Sequence, residues 1–316
     1  MPIEALSLCL VADYAYVSKQ NGRHLRRSHG CSRLRKRVVQ IMGLIKSSPV
    51  AVTPERLGQL LAGAERAADA AAEVTLRYFR GAMDVENKAG EHAFDPVTQA
   101  DRQAELAIRA SLQAEFPDIG FHGEEHEAIV GDSGLTWVVD PIDGTRAFMS
   151  GMPLWGTLIG LFDGRDSILG VMDQPFMAER YIATGKQASL RARNLDRVLS
   201  TRKGVALADA TMYCTTPDMF DTTESKAAFQ RVREAARLTR YGGDCYAYAL
   251  LASGYVDVVL DCDLKPYDIL ALIPLIEAAG GVVSNWNGES AVDGGFVVAA
   301  GSREIHAQTL SMLRLT

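Results

Sequence analysis

The feature that most limits how this chain can fold is a short segment that carries two aspartates beyond an apolar run. The run 137–139, WVV, leads directly into Asp140, and Asp143, Gly144 and Thr145 follow after two intervening residues. Such a run is typical of a buried strand, and buried charge is costly unless it is paired or binds a metal. The alternative is a simple turn, because Asp, Pro and Gly in D-P-I-D-G all favour turns.

Helical and strand patterns alternate along the rest of the chain. Thr53 and Pro54 form a favourable helix start, because threonine caps helices and proline fits their first position. Apolar spacing predicts helices over 54–80, 98–116, 224–238, 244–254 and 265–281, the last kinked at Pro274, and strands near 82–88, 135–139, 158–162, 168–172, 180–184, 255–261, 282–286 and 296–299. Interleaved helices and strands indicate a layered α/β or α+β architecture.

Composition excludes several classes of protein. Apolar residues make up 47% of the 316 residues, which is ample for a buried core. No apolar run approaches the roughly 18 residues that span a bilayer, so we expect no membrane partner. The five cysteines form no C-x-x-C pair, which disfavours a disulfide framework or a zinc site.

The first 50 residues differ from the rest. They contain nine Lys/Arg and two acids, whereas the whole chain has a net charge of −6. The acidic remainder disfavours a nucleic-acid binder. The segment 1–50 is interpreted as a basic, disordered extension preceding a domain over 51–316; a transit peptide and a basic arm for nucleic acid or membrane remain alternatives. We expect a cytoplasmic protein, or a plastid one if the segment is a transit peptide.

Acidic residues gather at the predicted ends of elements. Glu124 follows a glycine, Asp140 and Asp143 end the strand, and Asp268 lies in the first turn of a helix. Carboxylate oxygens without sulfur ligands favour hard cations such as Mg²⁺, which also shares substrate phosphates. Gly144 and the residue after it offer backbone N–H groups for a phosphate. Metal, phosphate and water together indicate hydrolysis by in-line displacement.

One further pattern has two interpretations. His122 to His126 fits H-x-x-E-H, a zinc motif that requires a helix. Gly123 and the preceding Pro117 disfavour a helix there, so the histidines are interpreted as loop residues. Trp155 is interpreted as a core residue, with stacking on an imidazole as the alternative.

Three blocks, GEE at 123–125, WVVDPIDGT at 137–145 and PYDILALIPLIEAAGG at 266–281, resemble the inositol monophosphatase family of magnesium-dependent phosphomonoesterases. The resemblance covers about residues 53–316. It implies an α+β fold, a layered αβαβα sandwich, that acts on a small phosphomonoester. It also implies a homodimer and two or three Mg²⁺ ions in each active site.

The resemblance also implies roles for individual residues. Glu124, Asp140 and the carbonyl of Ile142 would bind the first metal; Asp140, Asp143 and Asp268 would bind the second. A third, weaker metal would lie near Glu124. Thr145 and Glu124 would orient and deprotonate the attacking water, with Asp101 supporting Thr145. Asp143, Gly144 and Thr145 would contact the substrate phosphate.

Within the family, two segments are similar to the histidinol-phosphate phosphatases: TRAFMSGMPLWGTLIGL and the region 241–281. Tyr267 also stands where inositol-type enzymes usually have tryptophan. The expected reaction is therefore hydrolysis of L-histidinol phosphate, with Asp244 and Asp261 recognising the cationic substrate. The alternative is an inositol monophosphatase or a broad sugar-phosphate phosphatase.

Overall fold

The computed structural model describes residues 49–81, 85–87, 96–193 and 195–313. The helices are α1 (Pro54–Tyr78), α2 (Gln99–Glu115), α3 (Thr145–Met149), α4 (Thr223–Ala235), α5 (Asp244–Ala252), α6 (Pro266–Ile269), α7 (Leu272–Ala278) and α8 (Arg303–Leu313). The strands are β1 (Val85–Asn87), β2 (Pro96–Thr98), β3 (Gly120–Gly123), β4 (Thr136–Asp143), β5 (Gly156–Phe162), β6 (Ser167–Gln174), β7 (Glu179–Thr184), β8 (Gln187–Ala192), β9 (Leu195–Val198), β10 (Thr211–Cys214), β11 (Leu238–Tyr241), β12 (Val258–Leu264), β13 (Val282–Asn285) and β14 (Gly295–Ala300). The extension predicted over 1–50 lies outside the described residues except for Pro49 and Val50. Of the helices described, none is both long and apolar enough to cross a membrane.

Helices α1 and α2 form the first layer. Thr53 caps α1 as predicted, accepting a hydrogen bond from the backbone N–H of Arg56, and Pro54 occupies the first turn. Thr98 caps α2 reciprocally with Asp101. Half of the buried residues of α1 are alanines (Ala64, Ala67, Ala68 and Ala71), which leaves little side chain between the two helices. Both helices share one hydrophobic cluster with Trp137 and Val139 of β4.

The second layer is the large sheet, with the described strands in the order β3-β4-β5-β6-β7-β8-β9. Only β3 and β4 run parallel within it; each of the other neighbouring pairs in this order is antiparallel. Gly123 pairs with Val139, so the residues that follow β3 emerge beside the end of β4. This parallel pair brings Glu124 to the same edge as Asp140.

A bulge shapes the end of β4. Asp140 pairs with Leu158 and Asp143 pairs with Gly156, so three steps along β4 oppose two steps along β5. On a regular strand, residues three positions apart point to opposite faces of the sheet. The partners of Asp140 and Asp143 on β5, Leu158 and Gly156, are only two positions apart and therefore point to the same face. The extra residue of the bulge therefore turns both aspartates to the same face. Within the loop of the bulge, the carbonyl of Pro141 accepts a hydrogen bond from the Thr157 hydroxyl at 2.8 Å.

The third layer consists of α5, α6 and α7, which pack between the two sheets around a cluster that includes Leu158 and Val259. The prediction of one kinked helix over 265–281 is wrong, because α6 ends at Ile269 and α7 begins at Leu272. A proline removes a helical N–H and crowds the carbonyl four residues earlier, which for Pro274 is that of Leu270. That carbonyl instead accepts a hydrogen bond from the Ser167 hydroxyl at 2.5 Å.

The fourth and fifth layers complete the sandwich. The small sheet has the order β11-β10-β12-β14-β13 among the described strands. Its outer face packs against α4 and α8 in a cluster that includes Phe229, Val298 and Ile305. The layers therefore alternate helix, sheet, helix, sheet, helix, and the predicted αβαβα sandwich is confirmed.

Several elements were not predicted from the sequence, among them β3, β8, β9, β10, β11 and α8. His122 lies on β3, so the H-x-x-E-H pattern is not on a helix. Trp155 is fully buried and its ring lies 4.9 Å from that of Phe148, which confirms its interpretation as a core residue.

Candidate active site

Three predicted ligands meet at the end of β4. Asp140, Asp143 and Asp268 each place a carboxylate oxygen within 4.8 Å of those of the other two. Asp140 and Asp143 share a face because of the bulge. Asp268 lies in the first turn of α6, as predicted, and accepts a hydrogen bond from the backbone N–H of Lys265 at 2.7 Å. The structure thus brings together residues separated by 128 positions.

Glu124 faces the same group of acids. It lines one cavity together with Asp140, Asp143 and Asp268. Its negative charge raises the pKa of Asp140 and of Asp268, in each case after the effects of burial. The four acids that were predicted to bind metal therefore converge.

The electrostatics of this cluster suit a divalent cation. Burial, followed by the charges of neighbouring acids, raises the pKa of Asp140 and Asp143 well above the usual value. Burial raises the pKa of Asp268 to about 7, although Lys265 acts in the opposite direction. Two carboxylates 4.8 Å apart repel by about 3 kcal/mol at an effective dielectric constant near 20. Oxygen ligands gathered this closely fit Mg²⁺ or a similar hard cation.

Thr145 and Asp101 are in contact, as predicted. The Thr145 hydroxyl lies 3.4 Å from Oδ1 of Asp101 and 3.2 Å from the carbonyl oxygen of Ile142, so it can donate to either. Asp101 is buried, and its other carboxylate oxygen accepts hydrogen bonds from the backbone N–H of Thr98 at 2.8 Å and from the Thr98 hydroxyl. The capping interaction of α2 therefore also fixes the acceptor for Thr145.

The turn after β4 depends on glycine. Gly144 has φ = 90°, in the left-handed region, and precedes the first residue of α3. A Cβ atom at this position would lie 3.0 Å from the carbonyl oxygen of Leu154. Directly before the turn, Asp143 Oδ1 accepts a hydrogen bond from the backbone N–H of Cys245 at 3.0 Å, which ties the turn to α5.

We expect Gly144→Ala to lower the free energy of unfolding by about 2–3 kcal/mol, because strain from the left-handed backbone adds to the close contact. Gly185 is a matched control: it has φ = 59°, and a Cβ atom added there would have no neighbouring atom within 4 Å. Gly185→Ala should cost only about 1 kcal/mol, the conformational part. Chemical denaturation of both variants measures the difference, and equal losses would contradict a packing role for Gly144.

The two residues predicted to recognise substrate line the same cavity, which has a volume of about 600 Å³. Asp261 is buried and accepts hydrogen bonds from the backbone N–H of Thr215 at 2.7 Å and from the Tyr248 hydroxyl at 2.9 Å. Burial raises its pKa to about 6. Asp244, the first residue of α5, has φ = 42°, and burial followed by the charge of Asp261 raises its pKa to about 7.

Other lining residues were not assigned to the site from the sequence. Arg146, Thr216, Asp218, Asp263 and Lys265 also line the cavity, as do residues of neighbouring loops. Lys265 donates to a carboxylate oxygen of Asp263 at 2.5 Å. Thr216 and Asp218 lie outside every segment that carries the family resemblance. Arg146, Asp263 and Lys265 lie within the two segments that are similar to histidinol-phosphate phosphatases, but no local pattern distinguishes them from ordinary polar surface residues.

Comparisons with known proteins place the chain among phosphatases. It is 41% identical over 278 residues to the bifunctional phosphatase IMPL2, chloroplastic, of Arabidopsis thaliana, an alignment that covers 84% of this chain and 78% of that protein. It is 36% identical over 235 residues to the histidinol-phosphatase of Chlorobaculum parvum, covering 74% of this chain and 88% of that protein. A solved structure of an inositol monophosphatase from Zymomonas mobilis has a TM-score of 0.71 at 36% identity, covering 82% of this chain and 98% of that chain.

The profile described as "Inositol monophosphatase family" matches residues 56–314. The chain belongs to the inositol monophosphatase family, and the resemblance noted in its sequence is confirmed. It is accordingly a phosphatase of that family.

Proposed function

We propose that the protein is a Mg²⁺-dependent phosphomonoesterase that hydrolyses L-histidinol phosphate to L-histidinol and phosphate. The observation that carries this proposal is the convergence of Asp140, Asp143 and Asp268 in an acidic cavity that also contains Asp244. Two or three Mg²⁺ ions would be held by these three aspartates, Glu124 and the carbonyl of Ile142. When bound, the ions would polarise the phosphoryl oxygens and stabilise charge on the leaving oxygen.

The chain's own residues prepare the attacking water. The Thr145 hydroxyl can donate to Asp101 or to the carbonyl of Ile142. When that carbonyl holds a metal, the hydroxyl would donate to Asp101, and its oxygen would be directed to accept a hydrogen bond from water. Glu124 lines the cavity and would take the proton that this water loses. Asp143, Gly144 and Thr145 would contact the substrate phosphate, the last two through backbone N–H groups at the start of α3.

The charge of the cavity supports a cationic leaving group. Eight of the residues that line it are acidic and two, Arg146 and Lys265, are basic. Two divalent cations and a phosphate dianion would together add two positive charges, which leaves the cavity negative. Histidinol carries an ammonium group and an imidazole, which an ionised Asp244 or Asp261 would attract. The similarity to a histidinol-phosphatase supports the same substrate.

We expect kcat/KM for L-histidinol phosphate to exceed that for inositol 1-phosphate, measured at saturating Mg²⁺. Asp244→Asn should lower the first value by about 10- to 100-fold, the loss of one charge-assisted contact, and change the second by less than about threefold. Asp263→Asn is the matched control, because the side chain of Asp263 also lines the cavity but is 85% exposed. It should leave both values nearly unchanged. Equal losses on both substrates in Asp244→Asn would contradict the assignment.

An inositol monophosphatase is the second candidate. It is favoured by the similarity to the Zymomonas mobilis structure and by Asp261, whose carboxylate could accept hydrogen bonds from sugar hydroxyls. A preference of the wild-type protein for inositol 1-phosphate in the same assay would establish this alternative.

The remaining proposals concern organisation. We propose that the phosphatase domain begins near residue 51 and that the basic segment before it is an extension, in keeping with a family match that starts at residue 56. A homodimer is proposed from the family resemblance alone. We propose a cytoplasmic location, with a plastid as the alternative because the Arabidopsis relative is named chloroplastic.

A further inference from the structure

A buried carboxylate outside the cavity faces the segment that carries Glu124. Glu105 lies on α2, one helical turn after Asp101, and its side chain is fully buried. Buried carboxylates are costly unless hydrogen bonds satisfy them. The partners of Glu105 therefore indicate what this residue does for the fold.

Glu105 holds the backbone of the two residues that directly follow Glu124. One carboxylate oxygen accepts a hydrogen bond from the backbone N–H of Glu125 at 2.6 Å, and the other accepts from the backbone N–H of His126 at 3.1 Å. The second oxygen also lies 3.0 Å from Nδ1 of His126 and 3.2 Å from a guanidinium nitrogen of Arg109. Two consecutive peptide groups after Glu124 are thus fixed to α2.

The same carboxylate also occupies the space beside the residue before Glu124. A Cβ atom at Gly123 would lie 2.3 Å from the carboxylate carbon of Glu105. Gly123 is not among the residues with positive φ, so its backbone would accept alanine without strain. The close approach of Glu105 is the reason that position 123 requires glycine.

Arg109 strengthens this attachment from the next turn of α2. Its guanidinium donates to the carbonyl oxygen of Glu127 at 2.9 Å and lies 4.7 Å from the ring centre of Phe121 on β3. Glu105 and Arg109 together therefore hold the segment 123–127 against one face of α2.

Helix α2 consequently contacts Thr145 directly and the residues on either side of Glu124. Asp101 faces the Thr145 hydroxyl, and Glu105, four residues later on the same face, holds the backbone around Glu124. Residues four apart on a helix are neighbours at a fixed separation. The geometry of α2 therefore links the acceptor for the Thr145 hydroxyl to the backbone on either side of Glu124.

We propose that Glu105 is a positioning residue that fixes the Glu124 carboxylate relative to Thr145 and the acidic cluster, so that α2 sets the spacing of the pair. This proposal rests on the proposed function, in which Glu124 binds metal and activates water. Glu105 itself does not line the cavity, so it would act only through the residues that it holds.

The first test uses Glu105→Gln, which keeps the size of the side chain but replaces one acceptor oxygen with an NH₂ group that opposes a backbone N–H. We expect kcat to fall by about 10- to 100-fold, the usual cost of removing a partner that orients a metal ligand. KM for the phosphate ester should change by less than about threefold. The Mg²⁺ concentration for half-maximal activity should rise, and the increase in Tm caused by Mg²⁺, measured without substrate, should shrink.

Asp257→Asn is the matched control. Asp257 is also a buried carboxylate, and it accepts hydrogen bonds from the Arg202 guanidinium and from the backbone N–H of Thr211. It does not line the cavity. We expect this variant to lose stability while keeping the wild-type Mg²⁺ dependence and the wild-type gain in Tm on adding Mg²⁺.

A double-mutant cycle provides a second test that does not depend on Glu105→Gln alone. Gly123→Ala should impair Mg²⁺-dependent activity in the wild-type background, because the new methyl group displaces the Glu105 carboxylate. In a Glu105→Ala background the space is empty, so the same substitution should cost little more. Strong non-additivity supports the proposal, since coupled neighbours do not contribute independently.

Two results would overturn the proposal. One is a Glu105→Gln variant that, like Asp257→Asn, loses stability with unchanged Mg²⁺ dependence; the other is full additivity in the cycle with Gly123. Failure of the proposed function is a separate outcome, because Glu124→Gln would then retain activity whatever Glu105 does. A loss of activity in Glu124→Gln together with wild-type Mg²⁺ behaviour in folded Glu105→Gln refutes only the positioning role.

Discussion

Asp140→Asn is expected to lower Mg²⁺-dependent turnover by about three orders of magnitude or more, since metal ions supply several kcal/mol of charge stabilisation in such reactions. Asp140 is one of the residues that would hold the metal ions, and it is the most buried of the three clustered aspartates. Asparagine keeps an oxygen that can accept the hydrogen bond from the backbone N–H of Ile142, which Asp140 Oδ1 accepts at 2.9 Å. The loss of turnover would therefore reflect the removal of the Asp140 charge and not a collapse of the turn.

The same substitution should make the metal-free protein more stable. Burial and then the charges of Glu124 and Asp143 raise the pKa of Asp140 well above the usual value, so its ionised form is unfavourable in the fold. Removing one of the repelling charges should raise the free energy of unfolding by about 1–3 kcal/mol in the absence of Mg²⁺. Thermal unfolding in a chelating buffer, beside an activity assay, measures both effects.

Asp173→Asn is the matched control for this pair of effects. Asp173 is also buried, but its carboxylate lies 2.7 Å from Nε of Arg180, so it has a cationic partner. Burial raises the pKa of Asp173 in spite of Arg180. Its replacement should nevertheless lower stability, because a partly buried guanidinium loses that partner. Asp140→Asn variants that stay active, or that lose stability as Asp173→Asn does, would contradict the metal-site assignment.

The second large effect is a pH dependence of stability that Mg²⁺ reverses. The pKa of Asp268 and of Asp244 rises to about 7, and that of Asp261 to about 6, from an ordinary value of 3.8, with burial as the main cause. A carboxyl group with a raised pKa stabilises the fold fully below its unfolded pKa and loses that contribution as pH rises through its folded pKa. The metal-free protein should therefore become less stable between about pH 4 and pH 7.

Mg²⁺ should offset this loss, because it binds the ionised carboxylates. We expect the rise in Tm on adding saturating Mg²⁺ to be about 4–8 °C larger at pH 8 than at pH 5, which corresponds to about 2 kcal/mol in a domain of this size. His122 and His306 act in the opposite direction without Mg²⁺, because burial lowers their pKa values. Repeating the series with Asp268→Asn separates the contribution of the carboxylates from that of the histidines. An equal rise in Tm on adding Mg²⁺ at both pH values would refute the proposed pH dependence.

Much of the site could be predicted because its chemistry is local in sequence. The bulged end of β4, the turn at Gly144 and the first turn of α6 each carry acids next to a residue that sets the backbone, such as glycine or proline. The helix starts at Thr53 and Thr98 could also be predicted, since a capping interaction involves only residues that are close in sequence. The family blocks then indicated that these separate signals belong together.

The remainder depends on contacts that no local pattern records. Glu105 looks like an ordinary acid of an amphipathic helix, and its burial follows only from the docking of the segment 123–127. The break at Leu270 reflects both Pro274 and a hydrogen bond from Ser167, more than 100 residues away in sequence. Strands such as β10 and β11 are short and partly exposed, so their periodicity is weak.

The bulge in β4 has a consequence for variation among related chains. Ile142 would serve the metal through its backbone oxygen, whereas its side chain packs in a cluster with Phe148 and Trp155. Any apolar side chain that fills this cluster would preserve the ligand, so substitutions at position 142 should be tolerated. Adding or removing one residue at 141–142 would shift that oxygen along the chain, and such length changes should be rare among active homologues.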